Sequence, residues 1–257
     1  MYPSLAIDCS DKLSLISISN GKDCWQRVGA EGRNQAKTII STIEACLADA
    51  RLEKDALKSL CWAAGPGSFT GLRIATSIAQ GMSYALNIPL IAISSLELMA
   101  ASAVTEIKNK TEGEVGKKEA GKKIKPGISM DSILAISDAR MGELYWALFE
   151  IDHTKGVVVR KCPDSLSSIE KLFEFMQAQN FSTDTHIACI GSGAKLICSA
   201  QKAEFACRFV YIESECNAEA IFQIAESEVG QGNTLAAMQA RPSYLRAKNA
   251  WKTLEQQ

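Results

Sequence analysis

The chain has 257 residues, 47% of them hydrophobic, which is enough for one large domain or two compact ones with a sizeable core. A formal net charge of -1 and a pI near 6.2 exclude an overall basic field able to hold a phosphate backbone by counterion release. The opening Met-Tyr-Pro-Ser-Leu-Ala-Ile-Asp has no basic segment and no long apolar run. No later stretch approaches the roughly 18 to 20 apolar residues of a membrane span, so a cytoplasmic protein is expected.

Leu5 to Ile7 and Leu13 to Ser19 are short apolar or alternating runs around the turn-forming cluster Asp8 to Lys12, and predict a β-hairpin. Gly21-Lys22-Asp23 is a second turn, after which Cys24 to Val28 returns as a third strand. From Gln35 to Arg51 the apolar residues Ile39, Ile40, Ile43, Cys46, Leu47 and Ala50 recur at helical spacing. Leu57 to Ala64 is a buried strand stopped by Gly65-Pro66-Gly67-Ser68, and a second helix runs from about Thr70 to Leu86. A strand over Leu90 to Ile93 follows, then a third helix whose start is marked by the capping box Ser94-x-x-Glu97.

Between Glu106 and Pro126 seven lysines alternate with glutamates and glycines. Such a stretch cannot bury a core, and it predicts a solvated linker between two domains rather than a basic RNA-binding finger, since no aromatic residue interrupts it. Beyond it, Ile133 to Ser137 and Glu143 to Ile151 flank Asp138-Ala139-Arg140-Met141-Gly142, a hairpin that echoes the first. Ser167 to Gln179 is predicted helical, His186 to Ile190 a strand entering Gly191-Ser192-Gly193, and Asn217 to Val229 and Gly232 to Ala240 helical again. The pattern predicts two related α/β domains with a parallel component in each sheet, over residues 1–105 and 127–241, with the tail from about 242 packing back on the first.

Nine cysteines form an odd set with no CxxC pair, and only His153 and His186 are available to join them. Cys189, Cys198, Cys207 and Cys216 recur every nine residues, a spacing that matches no compact zinc site. Reduced, mostly buried thiols and no metal are expected.

In Gly65-Pro66-Gly67-Ser68-Phe69-Thr70-Gly71-Leu72-Arg73-Ile74 a Gly-rich turn empties into a helix, which is one way to cradle phosphate. Neither the Walker A nor the Gly-x-Gly-x-x-Gly spacing is present, so a tight turn with Ser68 or Thr70 capping the helix is the favoured reading. On that helix Gly71, Ala75, Ile78, Met82 and Ala85 share one face and Leu72, Thr76, Ala79, Ser83 and Leu86 another. One sheet cannot cover both, so a second helix, of this chain or of a partner, must cover the rest.

Leu5-Ala6-Ile7-Asp8, the run Gly65 to Ile74, Asp138 to Trp146 and Pro242-x-Tyr244-Leu245-Arg246 together resemble the TsaB (YeaZ) family over nearly the whole chain. The resemblance implies the actin-like, ribonuclease-H-derived fold in two domains. It also implies a non-catalytic subunit that helps a catalytic paralogue, TsaD, to form N6-threonylcarbamoyladenosine beside the anticodon in tRNAs reading ANN codons. A P-loop ATPase subunit, TsaE, and tRNA held by the assembly are the other implied partners, with a homodimer when the chain is alone. The first and second helices would form the partner interface through Ile39, Ile43, Cys46, Leu47, Leu72, Ala75, Ile78, Ala79 and Met82.

The same resemblance places a degenerate nucleotide site at Asp8, Ser10, Asp138, Arg140, Gly191 and Gly193. Cys9-Ser10 stands where bare Gly-Thr backbone would approach phosphates, so no nucleotide is expected on this chain alone, and ATP or ADP only in the complex. The paralogue's His-x-x-x-His metal pair on the first helix has no counterpart here, where Gln35 and Ile39 stand four apart. No catalytic residue is therefore expected. The competing functions are an active ATPase or small-molecule kinase of the same fold, and a peptidase, for which no Ser-His-Asp, Cys-His or His-Glu-x-x-His pattern is present.

Overall fold

The computed structural model describes residues 1–112, 130–201 and 205–246. Strands β1 (Ser4–Asp8), β2 (Leu13–Ser19), β3 (Cys24–Glu31), β4 (Ser59–Gly65) and β5 (Leu90–Ser94) form one sheet in the order β3-β2-β1-β4-β5. The pairs β1–β2 and β2–β3 are antiparallel, while β1–β4 and β4–β5 are parallel. Helices α1 (Gln35–Asp49), α2 (Phe69–Leu86) and α3 (Ser95–Glu112) follow β3, β4 and β5.

The second half repeats this plan. Strands β6 (Ser132–Arg140), β7 (Glu143–Asp152), β8 (Val157–Arg160), β10 (His186–Ile190) and β11 (Arg208–Tyr211) form a sheet in the order β11-β10-β6-β7-β8, with β9 (Ser165–Ser168) paired to β7. Read from β8 this is the order of the first sheet, with the same antiparallel and parallel pairs. Helices α4 (Ile169–Gln177), α5 (Ala194–Ala200) and α6 (Ala218–Gly230) stand where α1, α2 and α3 stand. A duplicated three-plus-two mixed sheet with helices on both faces is the actin-like, ribonuclease-H-like α/β arrangement that the sequence predicts.

Alternation along the strands supplies two cores per sheet. Leu5, Ile7, Ile16, Ile18, Leu60 and Trp62 point to the face covered by α1 and α2, while Ala6, Cys61, Ile91 and Ile93 point to the other. In the second sheet Leu134, Ile136, Trp146 and Ile187 face α4 and α5, and Ile133, Ala135, Phe149 and Ala188 face away. The outer faces are covered by exchange: α3 places Leu96, Ala100, Ala103 and Ile107 on the second sheet, and α6 places Ala218, Ile221, Phe222 and Ala225 on the first.

This exchange corrects the predicted boundaries. The second domain does not own residues 218–241, because α6 completes the first lobe. Nor does a linker begin at 106, because α3 runs to Glu112 with Ile107 buried; the rest of that predicted segment lies outside the described residues. Ser94 Oγ accepts the Glu97 N–H at 3.3 Å, one arm of the predicted capping box. The predicted helix over Gly232 to Ala240 is instead a bridge from Leu235 to Leu90 followed by one 3₁₀ turn, Ala237–Gln239. Among the described residues, no helix is long and apolar enough to cross a membrane.

Candidate functional site

Both hairpins end in an aspartate that closes its own turn. Asp8 Oδ1 accepts the Ser10 N–H at 2.7 Å, and Asp138 Oδ1 accepts the Arg140 N–H at 2.8 Å. Asp8 is buried, and desolvation raises its carboxyl above the ordinary value despite the Ser10 hydrogen bond. Asp138 and Arg140 are exposed and lie 3.5 Å apart, so the pair is weak.

The glycines of the Gly-Pro-Gly-Ser-Phe-Thr-Gly run are explained by the first hairpin. A Cβ at Gly67 would collide with the Ser10 carbonyl, and one at Gly71 with the Cys9 carbonyl. Backbone of the 8–12 turn therefore packs directly on the start of α2, and bare glycine is what lets it do so. The helix end is then satisfied internally: the Ser10 carbonyl accepts the Ser68 N–H at 2.8 Å, and Ser68 Oγ caps the helix by accepting the Gly71 N–H at 3.3 Å.

The second lobe does the same with Gly191-Ser192-Gly193. Gly193 N–H donates to the Ile136 carbonyl at 3.1 Å, and Ser192 Oγ accepts the Asp138 N–H at 3.0 Å. A Cβ at Gly191 would meet that same carbonyl and Met99. Asp138 and Arg140 thus lie beside the Gly191-Ser192-Gly193 turn, and Asp8 and Ser10 form the first turn. Several backbone donors that an anion would need are already bonded within the protein: Ser10, Ser68, Gly71, Asp138, Arg140 and Gly193. The residues at these positions do not fit a phosphate cradle.

The predicted interface set needs correction. Ile39, Ile43, Cys46, Leu47, Leu72, Ala75 and Ala79 are buried in this chain's own core, and only Ile78 and Met82 remain half-buried at its edge. Helical spacing identified residues that share a face, but that face covers β1, β2 and β4. Outward residues include Ile40 on α1, 51% exposed, beside Lys37 and Glu44, and Ser77, Gly81, Tyr84 and Ala85 on α2, with Tyr84 75% exposed. Ile74, Ile78 and Met82 flank them, half-buried. A Cβ added at Gly81 would meet nothing within 4 Å, and beside it Lys54, Asp55, Met82, Ala85 and Leu86 line a hollow of about 340 Å³. Small residues at Ser77, Gly81 and Ala85, four apart, give another backbone room to approach.

All nine cysteines are free. Cys189, Cys198 and Cys207 do converge in the apolar layer under α4 and α5, but Cys216 lies in the other lobe's outer layer, with α6. Burial pushes the Cys189 thiol up. Among the described residues no group of three His, Cys, Asp or Glu side chains could hold a metal ion. His153 pairs with Asp131 at 2.9 Å on the surface, and His186 Nδ1 lies 2.9 Å from the Asp184 carbonyl.

The family model of TsaD, tRNA N6-adenosine threonylcarbamoyltransferase, matches residues 29–114, which span α1, α2 and α3. The chain is 28% identical over 253 residues to the tRNA threonylcarbamoyladenosine biosynthesis protein TsaB of Escherichia coli K12, covering 97% of each. It is 26% identical to TsaB of Haemophilus influenzae over 86% of this chain and 84% of that one. The structure of YeaZ from Pseudomonas aeruginosa superposes with a TM-score of 0.75 at 22% identity, covering 95% of this chain and all of that one, and so shares the fold.

Proposed function

Because the chain belongs to the TsaB (YeaZ) family of tRNA threonylcarbamoyladenosine biosynthesis proteins, we propose that it is the non-catalytic subunit that pairs with a TsaD-type catalytic subunit and supports its active conformation. The observation that carries this reading is the outer face of α1 and α2. Tyr84 and Ile40 are exposed, Ile74, Ile78 and Met82 half-buried, and the small residues Ser77, Gly81 and Ala85 leave room beside them; Gly81, Met82, Ala85 and Leu86 with Lys54 and Asp55 line a hollow at one end of this face. A partner helix laid along α2 would seat one large apolar side chain there, in the manner of helix packing between related subunits.

The internally satisfied hairpins support the non-catalytic part of the reading, since a rival ATPase or kinase would need those donors for phosphates. The subunit acts by favouring one conformation of its partner, which requires only that it bind that conformation more tightly. Within the assembly the P-loop ATPase subunit TsaE and tRNA are the further partners, and ATP or ADP binds only there. Alone, the chain covers the same face by forming a homodimer.

Reconstitution tests this. A TsaD-type subunit, TsaE, tRNA, ATP and the threonylcarbamoyl donor are combined with and without this chain, and modified adenosine is scored by mass spectrometry. Strong dependence on the chain, lost in Tyr84→Asp with the monomer still folded, is the expected result. Full modification without the chain, or micromolar ATP binding by the isolated chain, sinks the reading.

A further inference from the structure

The segment Ser243 to Arg246 crosses from one lobe to the other beside both hairpins. On the first lobe the Ser243 N–H donates to the Ala64 carbonyl at 2.7 Å, and its own carbonyl lies 2.7 Å from where a Cβ on Gly65 would stand. The Tyr244 ring packs on Phe69 with centroids 5.4 Å apart, and Arg73 Nε donates to the Tyr244 hydroxyl at 2.9 Å. The Arg73 guanidinium lies 3.8 Å over the Phe69 ring, so three side chains fix this end of the segment.

Two residues later Arg246 engages the turn of the second hairpin from below. Its Nη2 donates to the Ala139 carbonyl at 3.0 Å and the Arg140 carbonyl at 3.4 Å, and pairs with the Glu143 carboxylate at 2.8 Å. Its Nη1 approaches Met141 Sδ at 3.3 Å, and the side chain is only 15% exposed. The turn it holds is an unusual one. Arg140, Met141 and Gly142 all have positive φ, at 66°, 57° and 75°, and two of the three carry a Cβ that disfavours that region. Arg246 satisfies the carbonyls of this turn: Nη2 is shared among them and the Glu143 carboxylate, while Nη1 rests on Met141.

Open α/β sheets take ligands at the carboxyl ends of their parallel strands. Here β4 ends at Gly65 and β6 at Arg140, and the chain's own segment runs between those two ends. We propose that residues 243–246 are a built-in bridging ligand: Arg246 clamps the second hairpin, Ser243 and Tyr244 clamp the first lobe, and the segment sets how far the lobes close. The lobes are also joined through α3 and α6, which pack together on the outer faces of both sheets, and by Ser94 Oγ, which donates to Asp164 at 2.7 Å. A strap on the cleft side restrains them from the other side.

Hydrogen exchange read by mass spectrometry, with small-angle X-ray scattering, on the full chain tests this. In Arg246→Ala, exchange of the 139–142 turn and of residues 243–245 accelerates together by about tenfold or more, the loss of several charge-assisted hydrogen bonds. Exchange in α4 and β11 stays unchanged, and the radius of gyration rises. Arg246→Lys, which keeps the charge but loses the second nitrogen against Met141, falls between the two. Should Arg246→Ala lose global stability, so that exchange rises everywhere, Glu143→Gln decides: the turn and the strap must still loosen together while α4 does not. Acceleration on one side of the strap only, or an unchanged turn in both variants, overturns the proposal.

Discussion

Leucine at Gly81 separates folding from association. Gly81 lies in the interior of the 18-residue helix α2, where glycine costs about 1 kcal/mol relative to a good helix former. A Cβ there meets nothing within 4 Å. Gly81→Leu therefore stabilises the monomer by about 0.5–1 kcal/mol, raising Tm by roughly 1–4 °C for a chain of this size. The same side chain projects beside the hollow of about 340 Å³, where the proposed partner helix would lie. Overpacking of that kind costs about 1–3 kcal/mol, or roughly a five- to hundredfold loss of affinity. The assay is a thermal melt at low and high protein concentration, beside calorimetry with a TsaD-type subunit. On the proposed homodimer, wild type is expected to melt higher as concentration rises, because self-association would stabilise the folded state by mass action. The variant melts higher than wild type when dilute, loses the concentration dependence, and binds the partner weakly. A variant that melts lower when dilute, or that binds as wild type does, refutes the reasoning.

Further expectations follow from burial. Gly71→Ala drives a Cβ into the Cys9 carbonyl, which belongs to backbone and cannot rotate away; chemical denaturation will show a loss of about 2–4 kcal/mol. Asp8→Asn keeps an acceptor for the Ser10 N–H and removes a buried charge. Because the folded carboxyl titrates above its ordinary value, its contribution to stability is complete below the unfolded pKa and is lost as pH rises through the folded one. The variant therefore matches wild type in acid and melts higher at neutral pH, and a Tm gain that is the same at every pH contradicts the assignment. Iodoacetamide on the native chain will label exposed Cys24 first. Cys9, Cys46 and Cys61, buried and pushed up to about 12, 11 and 12, will react only on unfolding, as peptide mapping will show.

The duplicated fold was legible because its signal is long. Both hairpins, the strands of alternating or continuous apolar residues, and helices α1, α2 and α6 carry enough residues for periodicity to speak. Strands β8, β9 and β11 have four residues each and α5 has seven, too few for a period to emerge from Val-Val-Val-Arg or Ala-Lys-Leu-Ile-Cys-Ser-Ala. The candidate interface failed for a different reason. Spacing tells which side chains share a face, but a sheet and a partner compete for the same residues, and the sheet took the larger ones. What was left outward includes Tyr84 and Ile40 and, between them and the core, Ser77, Gly81 and Ala85, small residues four apart that carry no apolar signal of their own. The packing role of Gly67 and Gly71 was hidden as well, since the backbone that needs the space is about sixty residues away in the chain.

The exchange of α3 and α6 between the sheets also sets an order of events during synthesis. As the first sheet leaves the ribosome, the face bearing Ala6, Cys61, Ile91 and Ile93 has only the partial cover of Leu98 and Ala101 from α3, because Ile221, Phe222 and Ala225 are still untranslated. A nascent chain in that state displays a greasy platform for as long as it takes to make more than a hundred further residues, which makes it a natural client for holding chaperones. The two halves, alike in plan, are consequently not two independent folding units: the last long helix is the stitch that completes the first.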